Sequence, residues 1–255
     1  MRIPLFALAL TLALPVLAAP DRETLFQVST LDALIAGLYD GVLPLRDLLT
    51  HGDFGLGTFD ALDGEMVVLD GQVYQITADG VVHRLPETAT TPFAAVTRFD
   101  ADLTIPLPAP TDWKGLQALL DARLPSLNLF HAVRIDGTFA MMKVRSVPRQ
   151  PKPYTKNLLE VAAAQPVYEW TNVQGSLVGF RCPYFVHGVN VPGYHLHFLS
   201  ADRTRGGHLL DCRVSQATLT ADPTPTFRLE LPTTPAYAKA ALPLPDPKAT
   251  EKVEK

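Results

Sequence analysis

The sequence is short of three things: cysteine, basic charge and, beyond its first residues, apolar runs long enough to cross a bilayer. Each shortage excludes something. A formal net charge of −4 with no basic stripe lacks the electrostatic footprint of a nucleic-acid partner, so a small-molecule substrate is expected instead. The only two cysteines, Cys182 and Cys212, flank the most histidine-rich part of the chain. They leave open one disulfide at its base, two thiols, or a soft metal ligand at Cys212. No internal repeat is evident, and no further apolar run would hold the chain in a membrane.

What is present begins with a leader. Met1-Arg2-Ile3 is followed by a nearly unbroken apolar run from Pro4 to Leu17, then Ala18-Ala19-Pro20-Asp21. A positive start, an apolar core and small residues at the exit describe a signal peptide over residues 1–18, with Ala19 first in the mature chain. The expected product is soluble, exported to the periplasm or beyond, and without a membrane partner once cleaved. The 237 residues that remain suffice for one large or two small domains.

Leu25-Phe26-Gln27-Val28 reads as a short strand, and Ser29-Thr30 as the cap of a helix carrying Leu31, Leu34, Ile35 and Leu38 up to Gly41. A second short helix covers 45–50. From Gly57 to Leu85 strand-like runs alternate with Asp63-Gly64, Asp70-Gly71 and Asp79-Gly80, the signature of an antiparallel meander. Residues 92–99 add a strand and 107–110 a break. Thr111 or Asp112 caps a helix with Trp113, Leu116, Leu119 and Leu120 on its apolar side. Two strands are expected around an Asp136-Gly137 turn. The prolines Pro148, Pro151 and Pro153 then mark an interdomain crossing, followed by a helix over 157–164. Strands over 176–180, 194–199, 208–215 and 226–231 precede a proline-rich tail, 242–255, read as a flexible end.

Three of the seven histidines fall between Tyr194 and His208. In an extended strand His195 and His197 share one face, while Leu196 and Phe198 take the other. A turn through Ser200–Gly207, using Gly206-Gly207, would return His208 beside them. Three converging imidazoles suit Zn²⁺ and leave a fourth position for water or substrate, as in a catalytic site. The H-x-H pair alone is a weak motif; His208 strengthens it. His51, His83, His131 and His187 are scattered and read as non-ligands.

Two charged residues are out of place. Glu65 opens Glu65-Met66-Val67-Val68-Leu69, which is apolar on both faces, so its carboxylate needs a cation, a metal, a raised pKa or a rim position open to water. Arg145 ends a strand in which Met141 and Lys143 share its face; it suits either a structural ion pair or bidentate binding of an acidic substrate.

Taken together, the stretches Gly55-Leu56-Gly57-Thr58-Phe59, Leu62-Asp63-Gly64-Glu65-Met66, Asp70-Gly71-Gln72-Val73-Tyr74-Gln75, Arg134-Ile135-Asp136-Gly137-Thr138-Phe139, Arg145-Ser146-Val147-Pro148 with Lys152-Pro153-Tyr154, and His195-Leu196-His197 through Gly206-Gly207-His208 resemble α-acetolactate decarboxylase, in the same order from Leu25 to Leu231. The resemblance implies an α/β (α+β-like) protein, often a homodimer, of two domains each built on a mixed or antiparallel sheet. They would span 19–150 and 151–241, with the zinc site in the C-terminal half. It also implies that His195, His197 and His208 hold Zn²⁺, that Glu65, Arg145 and, in the tail, Glu254 are catalytic, and that Thr58 joins Arg145 in binding substrate. The implied reaction converts (S)-α-acetolactate, a 2-hydroxy-3-oxo acid, into (R)-acetoin and CO₂ through a metal-stabilised enediolate, with no need of thiamine or pyridoxal.

Two other readings use the same histidines. A cupin-like metal enzyme also carries H-x-H on a strand, but wants a glutamate shortly afterwards where this chain has Phe198-Leu199-Ser200-Ala201-Asp202. A non-catalytic exported protein binding a metal or a small acid has no need of both Glu65 and Arg145.

Overall fold

The computed structural model describes residues 21–108, 110–242, 250 and 252. The leader over 1–18, Glu254 and most of the tail lie outside the described residues. Among those described, no helix is long and apolar enough to cross a membrane.

The architecture is mixed α+β and dominated by two large sheets. The first has seven strands in the spatial order Thr226–Glu230, Thr24–Val28, Ala94–Thr97, Phe54–Thr58, Glu65–Leu69, Gln72–Ile76 and Val82–Arg84. Its one parallel pair joins Thr24–Val28 to Thr226–Glu230. The expected meander is present. At its sharpest turn Asp70 and Gly71 have φ of 52° and 73°, both left-handed, as a two-residue I′ hairpin requires. Two local expectations shift: the strand expected over 57–62 runs instead Phe54–Thr58 followed by a 3-10 turn, Asp60–Leu62, and the first helix ends at Ile35.

The second sheet is built on three long strands, Phe130–Arg145, Val167–Cys182 and Gly206–Thr224. The central Phe130–Arg145 is flanked antiparallel by the other two. Gly193–Ser200 pairs with Val167–Cys182 and also with the start of Gly206–Thr224, so four strands close on one another. Such closure satisfies edge groups internally and forces strong curvature. Leu103–Leu107 and Thr111–Asp112 extend the free part of Gly206–Thr224. The break expected over 107–110 thus follows a strand, whose Pro106 is tolerated because that strand is paired on one side only. Phe139, Met142, Val144, Leu196, Phe198 and Leu219 fill the curled sheet. Trp113–Arg123, capped by the Asp112 carboxylate on the Gly115 N–H, adds Leu116 and Leu120 to that core.

Asp136-Gly137 is not a turn. The chain runs straight through it, and Gly137 lies between Gly175 and Ala217 in register. A Cβ there would sit 2.2 Å from the Gln216 carbonyl oxygen, so this glycine serves close strand approach. The Asp136 carboxylate accepts hydrogen bonds from Arg134 Nε and Ser176 Oγ, both at 2.6 Å.

The sheets do not divide the chain at 150/151. Phe130–Arg145 belongs to the second sheet and Thr226–Glu230 returns to the first, because strand pairing follows spatial neighbours rather than chain order. The two sheets share a core in which Leu56, Val67 and Ile76 meet Val178, Phe180 and Leu199. Helix Leu158–Ala162, held by a capping box between Asn157 and Glu160, packs near helix Leu31–Ile35. Cys182 and Cys212 are buried thiols in different cores rather than a disulfide. Burial, with Asp211 and Asp112 nearby, pushes the Cys212 thiol up to about 12, and the thiol is not part of the group of side chains that could hold a metal. Thr250 is buried and Lys252 exposed, so after 243–249 the chain packs again on the molecule.

The tight fit at Gly137 makes it a sensitive position. Gly137→Ala should lower stability by about 1–3 kcal/mol through overpacking, read as a lower denaturant midpoint; an unchanged midpoint would contradict the close approach.

Candidate active site

Strand register brings the chemistry together. His197 lies directly opposite His208, and His208 lies directly opposite Arg145 on its other side. Residues directly opposite one another project to the same face, so these three side chains form one row across three strands. His195 joins from two residues before His197. The row depends on a bulge: Lys143 pairs with Asp211 but Val144 pairs with Leu209, leaving Leu210 as the extra residue. Unbulged pairing would set Leu209 opposite Arg145 and turn His208 to the other face. Gly206 and Gly207, expected in the turn, lie in the strand itself. A Cβ on Gly207 would sit 2.5 Å from the Arg145 carbonyl oxygen, and the reversal is made by 201–205 instead.

The three histidines are buried, and one nitrogen from each lies within 4.8 Å of the others, the one such group of three found among the described residues. Their ring centroids are 5.0–5.3 Å apart. His197 Nδ1 is 2.8 Å from the Met66 carbonyl oxygen. A carbonyl can only accept, so Nδ1 carries the proton and Nε2 is left as a lone pair, 3.2 Å from His195 Nε2. Burial first, then the nearby Arg145, keeps His197 low, at about 4, although the Met66 bond opposes this. Burial, His197 and Arg145 hold His195 well below its ordinary value. Both are therefore neutral, the form that ligates a metal. Three buried imidazoles whose nitrogens crowd together, two of them held neutral, fit a divalent cation between them.

Glu65, at the start of the strand Glu65–Leu69 in the first sheet, approaches this group with Oε2 3.4 Å from His197 Nε2. Since His197 is neutral, the contact is not an ion pair. Burial drives the Glu65 carboxyl up to about 7, against the pull of Arg145 and a backbone hydrogen bond from Val147. Thr58 is paired directly with Glu65. Its hydroxyl donates to the Gly64 carbonyl at 2.7 Å, so it offers the cavity a lone pair rather than a proton. Arg145 is 5% exposed, and its Nε has no hydrogen-bond partner. An unpaired buried guanidinium N–H is costly, which marks it as a donor kept for a ligand.

One cavity is lined by all six of Thr58, Glu65, Arg145, His195, His197 and His208. Its remaining wall is apolar and includes Leu34, Leu62, Phe93, Leu158 and Ala162. Sequence reading missed that wall because apolar positions in helices and strands alike read as ordinary core. It also missed the Met66 carbonyl, since a backbone acceptor leaves no trace in residue type. Of the residues expected at the site, Glu254 alone is not placed, as it lies outside the described residues. Nearby, Lys252 lines an adjoining cavity together with Arg145.

The chain as a whole is similar to proteins of one family. The sequence model of the family described as Alpha-acetolactate decarboxylase matches residues 25–244. The chain belongs to the alpha-acetolactate decarboxylase family. The alpha-acetolactate decarboxylase of Methanosarcina mazei is 51% identical over 91% of this chain and 81% of that protein. That of Methylococcus capsulatus is 49% identical over 87% of this chain and 85% of its own length. The crystal structure of alpha-acetolactate decarboxylase from Bacillus subtilis strain 168 superposes with a TM-score of 0.88 at 38% identity, covering 91% of this chain and 99% of that one. Membership of the alpha-acetolactate decarboxylase family displaces the cupin-like alternative.

The raised Glu65 value has a stability consequence. Between its ordinary value of 4.5 and about 7 the folded chain holds a proton that the unfolded chain has released, so stability falls as pH rises through that window. In chelator-treated protein Glu65→Gln, which resembles the protonated acid, should gain up to about 3 kcal/mol on the wild type between pH 5 and pH 8. Denaturation curves at the two pH values check this; parallel pH dependence would mean Glu65 titrates normally.

Proposed function

We propose that this chain decarboxylates (S)-α-acetolactate to (R)-acetoin and CO₂ with Zn²⁺ held by His195, His197 and His208. The observation that carries the reading is the convergence of Glu65 and Arg145 on three buried imidazoles in one cavity, within a chain of this family. The all-nitrogen donor set, with no thiolate and room for a further ligand, favours zinc. Bound there, Zn²⁺ supplies Lewis acidity to the ketone and neighbouring hydroxyl oxygens of the substrate.

The protein's own groups do the rest. The Arg145 guanidinium binds and orients the carboxylate through its unpaired Nε–H. Leu34, Leu62, Phe93 and Leu158 keep water away from that carboxylate, an environment in which neutral CO₂ is favoured over the anion. Glu65, protonated near neutral pH, holds a proton at its carboxyl oxygen for delivery to the carbon that loses CO₂, on one face only. Glu254 is proposed as the second acid–base group, brought by the tail whose Thr250 is buried. Thr58 Oγ1, as an acceptor, is positioned for a substrate hydroxyl.

The purified chain should release acetoin and CO₂ from racemic α-acetolactate; a chelator should abolish this and zinc restore it. No acetoin above the spontaneous background from fully metallated protein would overturn the assignment. In the same series His195→Ala should lose zinc by elemental analysis, and Glu254→Gln should lower turnover about 10²-fold or more if the tail acid moves a proton.

Export through residues 1–18 is proposed on the same footing, supported by the composition of that segment. N-terminal sequencing of the expressed protein should begin at Ala19, and an intact Met1 on the secreted or periplasmic material would refute cleavage.

A further inference from the structure

A second cavity adjoins the histidine pocket, sharing Arg145 and Ala162 in its lining, with Gln165, Leu210 and Lys252 among its own residues. Leu210 is the residue extruded by the bulge that aligns His208 with Arg145. Two buried polar atoms in this lining have no hydrogen-bond partner, Arg145 Nε and Gln165 Oε1. One is a charged donor and the other a neutral acceptor, the complement of a molecule bearing a carboxylate and a hydroxyl. Lys252 adds an exposed cation at the same cavity. The chain as a whole is net negative and so repels an anionic substrate, which makes a local cation beside the site consequential for capture.

We propose that this second cavity is an antechamber in which Lys252 collects the carboxylate of a 2-hydroxy-3-oxo acid and passes it to Arg145, with Gln165 accepting from the substrate hydroxyl on the way. The inference rests on the decarboxylase reading and deepens it. Lys252 is here a steering residue, not a catalytic one: the reacting atoms lie in the neighbouring pocket with the histidines and Glu65. Arg145 forms the boundary between the two cavities, so an anion leaving Lys252 meets it before reaching the imidazoles. The product, acetoin, has no carboxylate, so the antechamber discriminates between what enters and what leaves.

That asymmetry supplies the test. With the full zinc-loaded chain, Lys252→Gln should lower kcat/KM for α-acetolactate by about threefold to tenfold at low ionic strength, the difference closing toward about 0.5 M salt as the charge is screened. Its kcat and its inhibition by added acetoin should match the wild type, and Lys252→Arg should restore kcat/KM. Unchanged kcat/KM with an unchanged salt slope would overturn the proposal. So would equal weakening of acetoin inhibition, which would point to a general loosening of the tail. Calorimetric binding of 2-hydroxy-2-methylpropanoate, an unreactive anion, separates the two readings. If the wild type makes no acetoin yet binds this anion more tightly than Lys252→Gln, the decarboxylase assignment falls and the antechamber stands. If the two bind it equally, the antechamber falls whatever the activity.

Discussion

One extra residue in the strand Gly206–Thr224 decides which side chains meet. Because side chains alternate across a strand, leaving Leu210 unpaired reverses the facing of everything before it. His208 then lies between His197 and Arg145 in a single row, where unbulged pairing would place Leu209 opposite the arginine. The closed ring of four strands holds that register from both sides, since Gly206–Thr224 is tied to Phe130–Arg145 along one edge and to Gly193–Ser200 along the other. The absence of a Cβ at Gly207 lets the Arg145 backbone approach closely enough for the pairing to form. The histidine group and the Arg145 guanidinium are thus parts of one register.

Burial is the common cause behind the site's electrostatics. It keeps His195 and His197 neutral and Glu65 protonated near neutrality, two opposite chemical outcomes from one penalty on charge. Arg145 acts in both directions, further disfavouring charge on the histidines while drawing the glutamate down. The result is a cavity in which a guanidinium stands beside two neutral histidines and a carboxyl that titrates near neutrality. The Met66 carbonyl adds direction by fixing the tautomer of His197, so that the nitrogen facing the other histidines is a lone pair.

Much of this was legible in residue order, and the failures were local. The alternation His195-Leu196-His197-Phe198 is strand periodicity read directly, and Leu196 and Phe198 do enter the core. Glu65 stood out because a carboxylate opening an apolar strand needs an explanation, and it found one in a buried pocket. Glycine misled twice. Asp136-Gly137 and Gly206-Gly207 carry turn composition, yet all three glycines lie within strands where a neighbouring backbone comes too close for a Cβ. The same residue type answers two demands, left-handed φ and close approach, and only the second depends on chain that is distant in sequence. The tail was read as a free end from its prolines, but Thr250 is buried, and nothing in a proline-rich stretch announces what lies beyond it.

The sequence by itself determined the inventory: three histidines at strand spacing and in hairpin reach, an acid and a guanidinium placed against local polarity, a meander with its I′ turn, and motifs in the order of one family. These are properties of neighbours in the chain, set by alternation, turn chemistry and the cost of burying charge. Only the tertiary structure decided that Glu65 from the first sheet reaches histidines on the second and that His208 faces Arg145. It alone lines the pocket with apolar side chains from separate parts of the chain, among them Leu34, Phe93 and Leu158, and places Lys252 in an adjoining cavity. Those outcomes turn on strand register and sheet packing between segments far apart in the chain, and for His208 and Arg145 on a one-residue bulge that no local pattern encodes.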